Sequence, residues 1–495
     1  MLYIRMLLTM AVSLYTSRII LNTLGVEDFG IYNVVGGFVT MFGFLNSSMA
    51  SATQRFLSFE IGKKDYPQLA RVFSMSLNIH FIIAFVILIL AETVGLWFVN
   101  TQLTIPAERM IAAIWVYQFS ILVLMVNIVS VPYNAIIIAH ERMNVFAWVS
   151  VAEVSLKLLI VFMLQWFGFD KLKLYAVLMF GVSLIIRLIY GFYCSSKFKE
   201  SKFRYYWDKT LFNTLINYAG WNLWGSVAGI LYGQGVNILL NIFFGPVVNA
   251  ARGIAYQVRG AVNQFVFNFQ MAMRPQIIKS YAAEELKYMH QLIYQGAKYS
   301  FLLLFALSLP ILLDTEIILK LWLKIVPEYT VIFTQLVIVN ILIDSISGPL
   351  MTSAQASGKI KLYQGVVGGL LMLILPISYL FLKLGFPPEV TLYISIIMSI
   401  ISFFARLKIV SKLVNLSIKG YIKNVILPII PVILVSTLIP IGIKHFLTEN
   451  FIHFLIITFI SIICIIITIY FFALKKDEKD FLKKKVVQII LKLKK

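Results

Sequence analysis

Long apolar runs alternate with short polar breaks from one end of the chain to the other. Fourteen runs are read as helices, at residues 2–24, 29–58, 72–99, 108–138, 144–168, 172–195, 214–244, 247–273, 290–313, 328–356, 361–384, 388–410, 422–445 and 451–474. Each is far longer than the roughly 9–11 residues of a barrel strand and reaches the ~20 residues a helix needs to cross a bilayer. Pro132 and Pro349 are expected to kink their helices. No break is long enough to hold a folded soluble domain, so function belongs in the bilayer or at its faces.

Composition agrees. The 495 residues are 60% hydrophobic and 13% charged, against about 25% charged in a soluble domain, and mean hydropathy is +0.88. The chain reads as an all-α integral membrane protein. Its lysines and arginines sort by loop: 29 of the 43 fall on alternate loops and the tail, 7 on the opposite loops. This bias predicts both termini in the cytoplasm. It also accounts for the net charge of +21 without any nucleic acid. The tail, 475–495, puts Leu482, Val486, Ile489, Ile490 and Leu493 on one face and is expected to lie on anionic membrane lipids as an amphipathic helix. Cys194 and Cys464 sit in separate spans and the five histidines are scattered. No metal, disulfide or cofactor is expected from them, and no cleavable signal peptide is apparent.

The basic, aromatic break "SSKFKESKFRYYWDK" divides six spans from eight, and the helices after it echo the first ones. "LNTLGVEDFGIYNVVGG" starts at Leu21 and "LNIFFGPVVNAARGIAYQVRG" at Leu240. The expected organisation is an N-terminal lobe (1–195), a cytoplasmic linker (196–213), a C-terminal lobe (214–412), spans 13–14 (413–474) and the tail. Internal repeats that enclose a site are a common transporter architecture.

The runs "LYTSRIILNTLGVEDFGIYNVVGGF" and "SATQRFLSFEIGKKD", with the fourteen-span plan, resemble Wzx-type polysaccharide flippases. These belong to the superfamily that also holds the MATE drug exporters. The resemblance implies a MATE-like fold, two lobes facing a central cavity, and a lining drawn from the first two helices of each lobe. It implies as substrate a lipid-linked glycan of the undecaprenyl-pyrophosphate type, for a surface polysaccharide such as an O-antigen, passed between leaflets by alternating access. A glycan polymerase or ligase would be a partner, and an ion gradient of H+ or Na+ the energy source if there is coupling.

Within the spans basic residues outnumber acids, with Arg5, Arg18, Arg55, Lys157, Arg187, Arg252 and Arg259 against Glu92, Glu153 and Asp344. From Asn249, steps of three and four along span 8 reach Arg252, Tyr256, Arg259, Asn263, Phe267, Gln270 and Arg274. A lipid-facing helix would leave such a stripe without partners. Span 7 adds Gln234, Asn237 and Asn241; span 2 adds Asn33, Thr40, Ser47, Ser51, Arg55 and Ser58. The expected substrate-binding set is Arg18, Arg55, Arg252, Arg259, Asn249, Tyr256 and Asn263. For Arg18, Arg55 and Arg252 the competing reading is snorkelling to an interface. Arg259 lies too deep for that. Guanidinium matches phosphate oxygens in a fork, and amides and aromatic rings suit sugars. Glu153 and Lys157 are expected to pair with each other. Asp344 reads either as a proton or cation site for coupling or as a satisfied polar contact. Gly225, Gly229 and Gly233 read either as close helix packing or as a hinge.

Two other functions compete. A MATE-type exporter of organic cations would want carboxylates in spans 1, 7 and 8, which hold none. A membrane-embedded glycan polymerase or ligase would want a large outer loop with a nucleophile–base pair or a metal cluster.

Overall fold

The computed structural model describes residues 42–480 apart from 102–104, 167, 324–325 and 445–450, together with scattered positions before 42. Every regular element described is a helix, with no strand among the described residues. The protein is an all-α integral membrane protein. Among the described residues, ten helices are long and apolar enough to cross a bilayer.

The helices are α1 (Gly43–Lys63), α2 (Tyr66–Leu90, continued through a wide turn to Thr101), α3 (Met110–Ala139), α4 (Met143–Trp166), α5 (Lys171–Lys197), α6 (Lys209–Phe244), α7 (Pro246–Ala282), α8 (Leu286–Leu313), α9 (Thr315–Leu323), α10 (Thr330–Ser345), α11 (Gly348–Ser357), α12 (Ile360–Lys383), α13 (Val390–Val414), α14 (Ile418–Lys444) and α15 (Phe451–Thr468, continued to Ala473). Several outrun their apolar spans. α6 and α7 are 36 and 37 residues long, about 55 Å each at 1.5 Å per residue, against ~30 Å of hydrocarbon. Arg274 and Lys279, expected in a loop, are therefore helical. Hydropathy marks where a helix leaves the bilayer, whereas the backbone ladder continues until a cap or glycine ends it. The break in span 10 falls before Pro349, with α11 restarting and proline in its first turn, where its missing N–H costs nothing. The short α9 has no counterpart among the expected spans; nine residues are too few to register as one.

The chain falls into two compact units, Met1–Ser226 with Ile278–Glu285, and Val227–Ile277 with Leu286–Lys495. In the first, α3 packs on α1, α2 and α5, around Val116, Tyr117 and Ile121. The wide turn Ala91–Gly95 frees a backbone carbonyl, and the buried Tyr117 hydroxyl donates to Ala91 O at 2.6 Å. A Cβ at Gly95 would collide with that hydroxyl. Glycine is needed again at Gly62, where a Cβ would stand 2.6 Å from the Lys279 carbonyl oxygen. Arg109 ties three segments together, reaching Asp28 Oδ1 from Nε at 2.7 Å and Asp170 Oδ2 from Nη1 at 2.9 Å. Lys157 and Glu153 pair as expected, Nζ to Oε1 at 2.6 Å.

In the second unit, α12 and α10 pack on α13, and α14 on α15, over a core containing Phe333, Val337 and Ile374. Lys298 is 2% exposed; its ammonium donates to Ala473 O at 2.7 Å and to Glu478 Oε2 at 3.1 Å, tying the end of α15 to α8. Of the amphipathic tail, Leu482, Val486, Ile489, Ile490 and Leu493 lie outside the described residues.

Candidate functional site

α6 and α7 form a hairpin in the second unit. Gly245 turns the chain at φ +78°, a conformation glycine adopts without strain, and Pro246 opens α7 with the φ a helix needs. Asn237 on α6 is thereby brought to Asn249 and Arg252 on α7. Asn249 Nδ2 donates to Asn237 O at 2.7 Å and to its Oδ1 at 2.8 Å. Arg252 Nη1 donates to the same Oδ1 at 3.4 Å.

One helical turn further, Tyr256 lies between the two arginines. The Arg252 guanidinium is 4.3 Å from the ring centroid, and its Nη2 donates to the phenol oxygen at 3.1 Å. Arg259 is 5.1 Å from the same ring. Arg252 is buried, and its Nε makes no hydrogen bond. Neither arginine makes an ion pair among the described residues, and α6 and α7 contain no Asp or Glu. A cation over a ring gains ~0.5–2 kcal/mol but keeps its charge. The arrangement therefore holds two positive charges on one patch of a helix with no acid of its own.

The adjoining face of α7 is uncovered by protein. Gly253, Gln257, Gly260, Ala261, Asn263, Gln264 and Phe267 are exposed, and Arg252, Tyr256 and Arg259 flank this stripe. Sequence reasoning found the flank and Asn263 but missed Gln257 and Gln264. Their signal was spacing, with amides seven residues apart and glycines at Gly253 and Gly260 on one face. Gln270, expected in the polar stripe, is a packing contact: its Nε2 donates to Ser300 Oγ at 3.0 Å and to Ser345 O at 3.1 Å.

Asp344, on α10, is hydrogen-bonded by the Ser399 side chain and lies within the electrostatic reach of Arg406 and Arg259, without an ion pair to either. Asn340 Nδ2 donates to the same Ser399 Oγ at 3.2 Å. Arg406, near the end of the expected run 388–410, sits within α13. Its Nε is buried without a hydrogen bond. A count of charge by loop cannot see that a helix end is packed.

Arg55, in the first unit, is 6% exposed and caged by rings. Its guanidinium stands 4.5 Å from the centroids of Phe56 and Phe59 and 5.7 Å from that of Tyr218. Arg18 lies outside the described residues, as do Asn33, Thr40 and the side chains of Gln234 and Asn241. Gly225, Gly229 and Gly233 all lie within the continuous α6. A Cβ at Gly229 or Gly233 would meet open space; close packing occurs instead at Gly235, 2.6 Å from Leu375. No group of three or more metal-ligating side chains occurs among the described residues.

The fold has solved counterparts. A point mutant of a MATE protein aligns at a TM-score of 0.70 with 13% identity over 83% of this chain and 95% of its own. An outward-facing multidrug resistance MATE family transporter of the MOP superfamily gives 0.69 with 13% identity over the same shares. A MOP superfamily transporter from Pyrococcus furiosus, described by the reverse polarity of its binding pocket, gives 0.65 with 15% identity, again over 83% and 95%. No curated protein matches the chain. The family model for polysaccharide biosynthesis proteins matches residues 1–281, more than half of the chain. The protein, a multi-pass membrane protein with the MATE transporter fold, belongs to the polysaccharide biosynthesis protein family.

Proposed function

We propose that the protein translocates a lipid-linked oligosaccharide from the inner to the outer leaflet of the cytoplasmic membrane by alternating access. The observation that carries this reading is the pair Arg252 and Arg259, set about Tyr256 without a carboxylate in ion-pair range. An arginine at bilayer depth costs about 2.5–3.5 kcal/mol on insertion scales, more than a ring contact returns. A pyrophosphate supplies the missing charge and accepts the guanidinium fork. The exposed amides Gln257, Asn263 and Gln264 offer donors and acceptors to sugar hydroxyls, and Tyr256 and Phe267 offer stacking faces.

A glycan headgroup cannot enter hydrocarbon, because its hydroxyls and phosphates would lose their water. On this reading the headgroup exchanges that water for the α7 stripe while the lipid tail stays in the bilayer. Asp344, facing two arginine charges, is the proposed coupling residue for H+ or Na+, and the open glycine face of α6 at Gly229 and Gly233 is the proposed hinge, with Gly225 one turn before it. Family membership supports the polysaccharide connection, and the acid-free α6–α7 hairpin argues against an exporter of organic cations.

The test is surface-glycan export in cells, with membrane abundance measured for each variant. Arg259→Ala should lose most export at normal abundance. Arg259→Lys should keep part of it, since charge remains and the fork is lost. Full export by a normally abundant Arg259→Ala protein removes this arginine from the substrate path.

A further inference from the structure

The basic, aromatic segment that follows α5 builds a second charged site, from residues of the first unit alone. Residues 198–206 fold back and are pinned on three sides. Asn78 Nδ2 donates to Tyr206 O at 2.9 Å, and Arg204 N donates to Ser74 Oγ at 3.4 Å. The His140 ring stacks on Phe198, 4.3 Å between centroids, and its Nε2 is 2.7 Å from Glu200 Oε1. Between this segment and the start of α2 lies a depression of about 1000 Å³.

Its lining is strongly positive. Arg71, Lys197, Lys199, Lys202 and Arg204 all contribute to it and are exposed. The one acid in the lining, Glu200, is engaged by His140. Asp208, just beyond, caps α6 by accepting from Leu211 N at 2.8 Å. Arg71 rests on the Tyr206 ring at 5.6 Å, and none of the five cations makes an ion pair among the described residues. The depression thus gathers five basic side chains against one acid in its lining, with Asp208 within electrostatic reach of Arg71.

What adjoins it identifies the ligand. Ile185, Leu188 and Phe192 form an outward apolar stripe on α5, 44%, 63% and 78% exposed. Phe192 precedes Lys197 by five residues, about 7.5 Å along the helix. Tyr66 and Tyr205 line it and, with Phe203 and Trp207 of the same basic segment, are exposed; aromatic rings of this kind favour the membrane–water boundary. We propose that this depression binds the phosphate of an anionic membrane lipid whose acyl chain lies along the α5 stripe. The phosphodiester carries the negative charge the cations lack, and the stripe places an acyl chain one headgroup's length away. The residues are distinct from the Arg252–Arg259 cluster, so the site holds a bound lipid of the surrounding membrane whichever substrate is transported.

The experiment uses the full-length protein purified in detergent, with thermal unfolding followed against added short-chain phosphatidylglycerol, phosphatidylcholine of equal chain length, or inorganic phosphate. Phosphatidylglycerol should stabilise the wild type and the control K408Q/K412Q, whose exposed cations lie on α13. K202Q/R204Q should need about thirtyfold more of it, at roughly 1 kcal/mol for each of the two basic residues removed near a membrane surface. K202R/R204K should respond as the wild type does, which separates lost charge from lost fold. Equal responses of K202Q/R204Q and the wild type, or equal stabilisation by phosphatidylcholine, overturn the site. Inorganic phosphate that reproduces the whole shift, with the same loss in K202Q/R204Q, overturns the lipid and makes a soluble phosphate ester the ligand.

Discussion

Arg109 and Arg252 show two ways of keeping a guanidinium inside this protein. Arg109 meets Asp28 and Asp170 together, and every charge there has its opposite within hydrogen-bond range. Arg252, more deeply buried, has an amide oxygen, a phenol and a ring face, and Arg259 shares that ring. The first arrangement is complete and serves to hold three segments together. The second leaves two charges without an ion pair among the described residues, Asp344 lying only within electrostatic reach of Arg259. Natural structures tolerate this where a ligand completes the charge balance, because an unpaired buried charge costs several kcal/mol. Arg55 stands between the two, buried and caged by rings.

The comparison breaks most sharply if the second site is given the first site's chemistry. In Asn237→Asp a carboxylate takes the place of the amide oxygen 3.4 Å from Arg252. Export per folded molecule should fall by about tenfold or more, the worth of one charge-assisted contact, while thermal stability stays level or rises. Unchanged export would mean that the charge on Arg252 is not held for a substrate.

The reverse change empties the first site. Arg109→Ala strands two half-buried carboxylates and should destabilise the fold by roughly 1–3 kcal/mol. Unfolding in detergent reads the loss, and export per folded molecule should stay normal. Removing the shared ring is a smaller perturbation. Tyr256→Leu removes contacts of about 0.5–2 kcal/mol and should lower export several-fold, with Tyr256→Phe intermediate because it keeps the ring and loses the bond from Arg252. Equal export by all three would take the ring out of the site.

The smallest effect is a dependence on pH. Burial holds the His140 imidazole below its ordinary value; its hydrogen bond to Glu200 opposes this, while the charges of Lys279 and Arg142 add to it. The unfolded chain then takes up its proton at higher pH than the folded one, so stability present above about pH 6.5 is lost as pH falls through the folded value. The melting temperature of His140→Gln should fall less between pH 7 and 5 than that of the wild type. Parallel curves would place the pH dependence elsewhere.

Much of this was legible in the chain. The apolar runs anticipated the helices because a bilayer imposes a minimum length and forbids unpaired backbone, whatever the neighbours are. The Glu153–Lys157 pair followed from i, i+4 geometry alone. The basic flank of α7, Arg252, Tyr256 and Arg259, followed from helical spacing, since residues on one face are neighbours before any tertiary contact forms.

What periodicity could not give was the partner of each group. Gln270 and Asn263 look alike as polar steps on one helix, yet one is satisfied by Ser300 and Ser345 and the other is exposed. Arg406 and Asp344 are 62 positions apart in the chain, and only the fold brings each within electrostatic reach of the other. Gly229 and Gly235 are both glycines of α6, and only the second has a side chain pressed against it. The sequence by itself determined the class, the membrane, the helices and the sign of the charge within them, because these depend on local periodicity and on the solvent. Only the tertiary structure decided which arginines are neutralised, which amides are exposed and where the basic segment after α5 folds, because each of these depends on contacts between residues far apart in the chain.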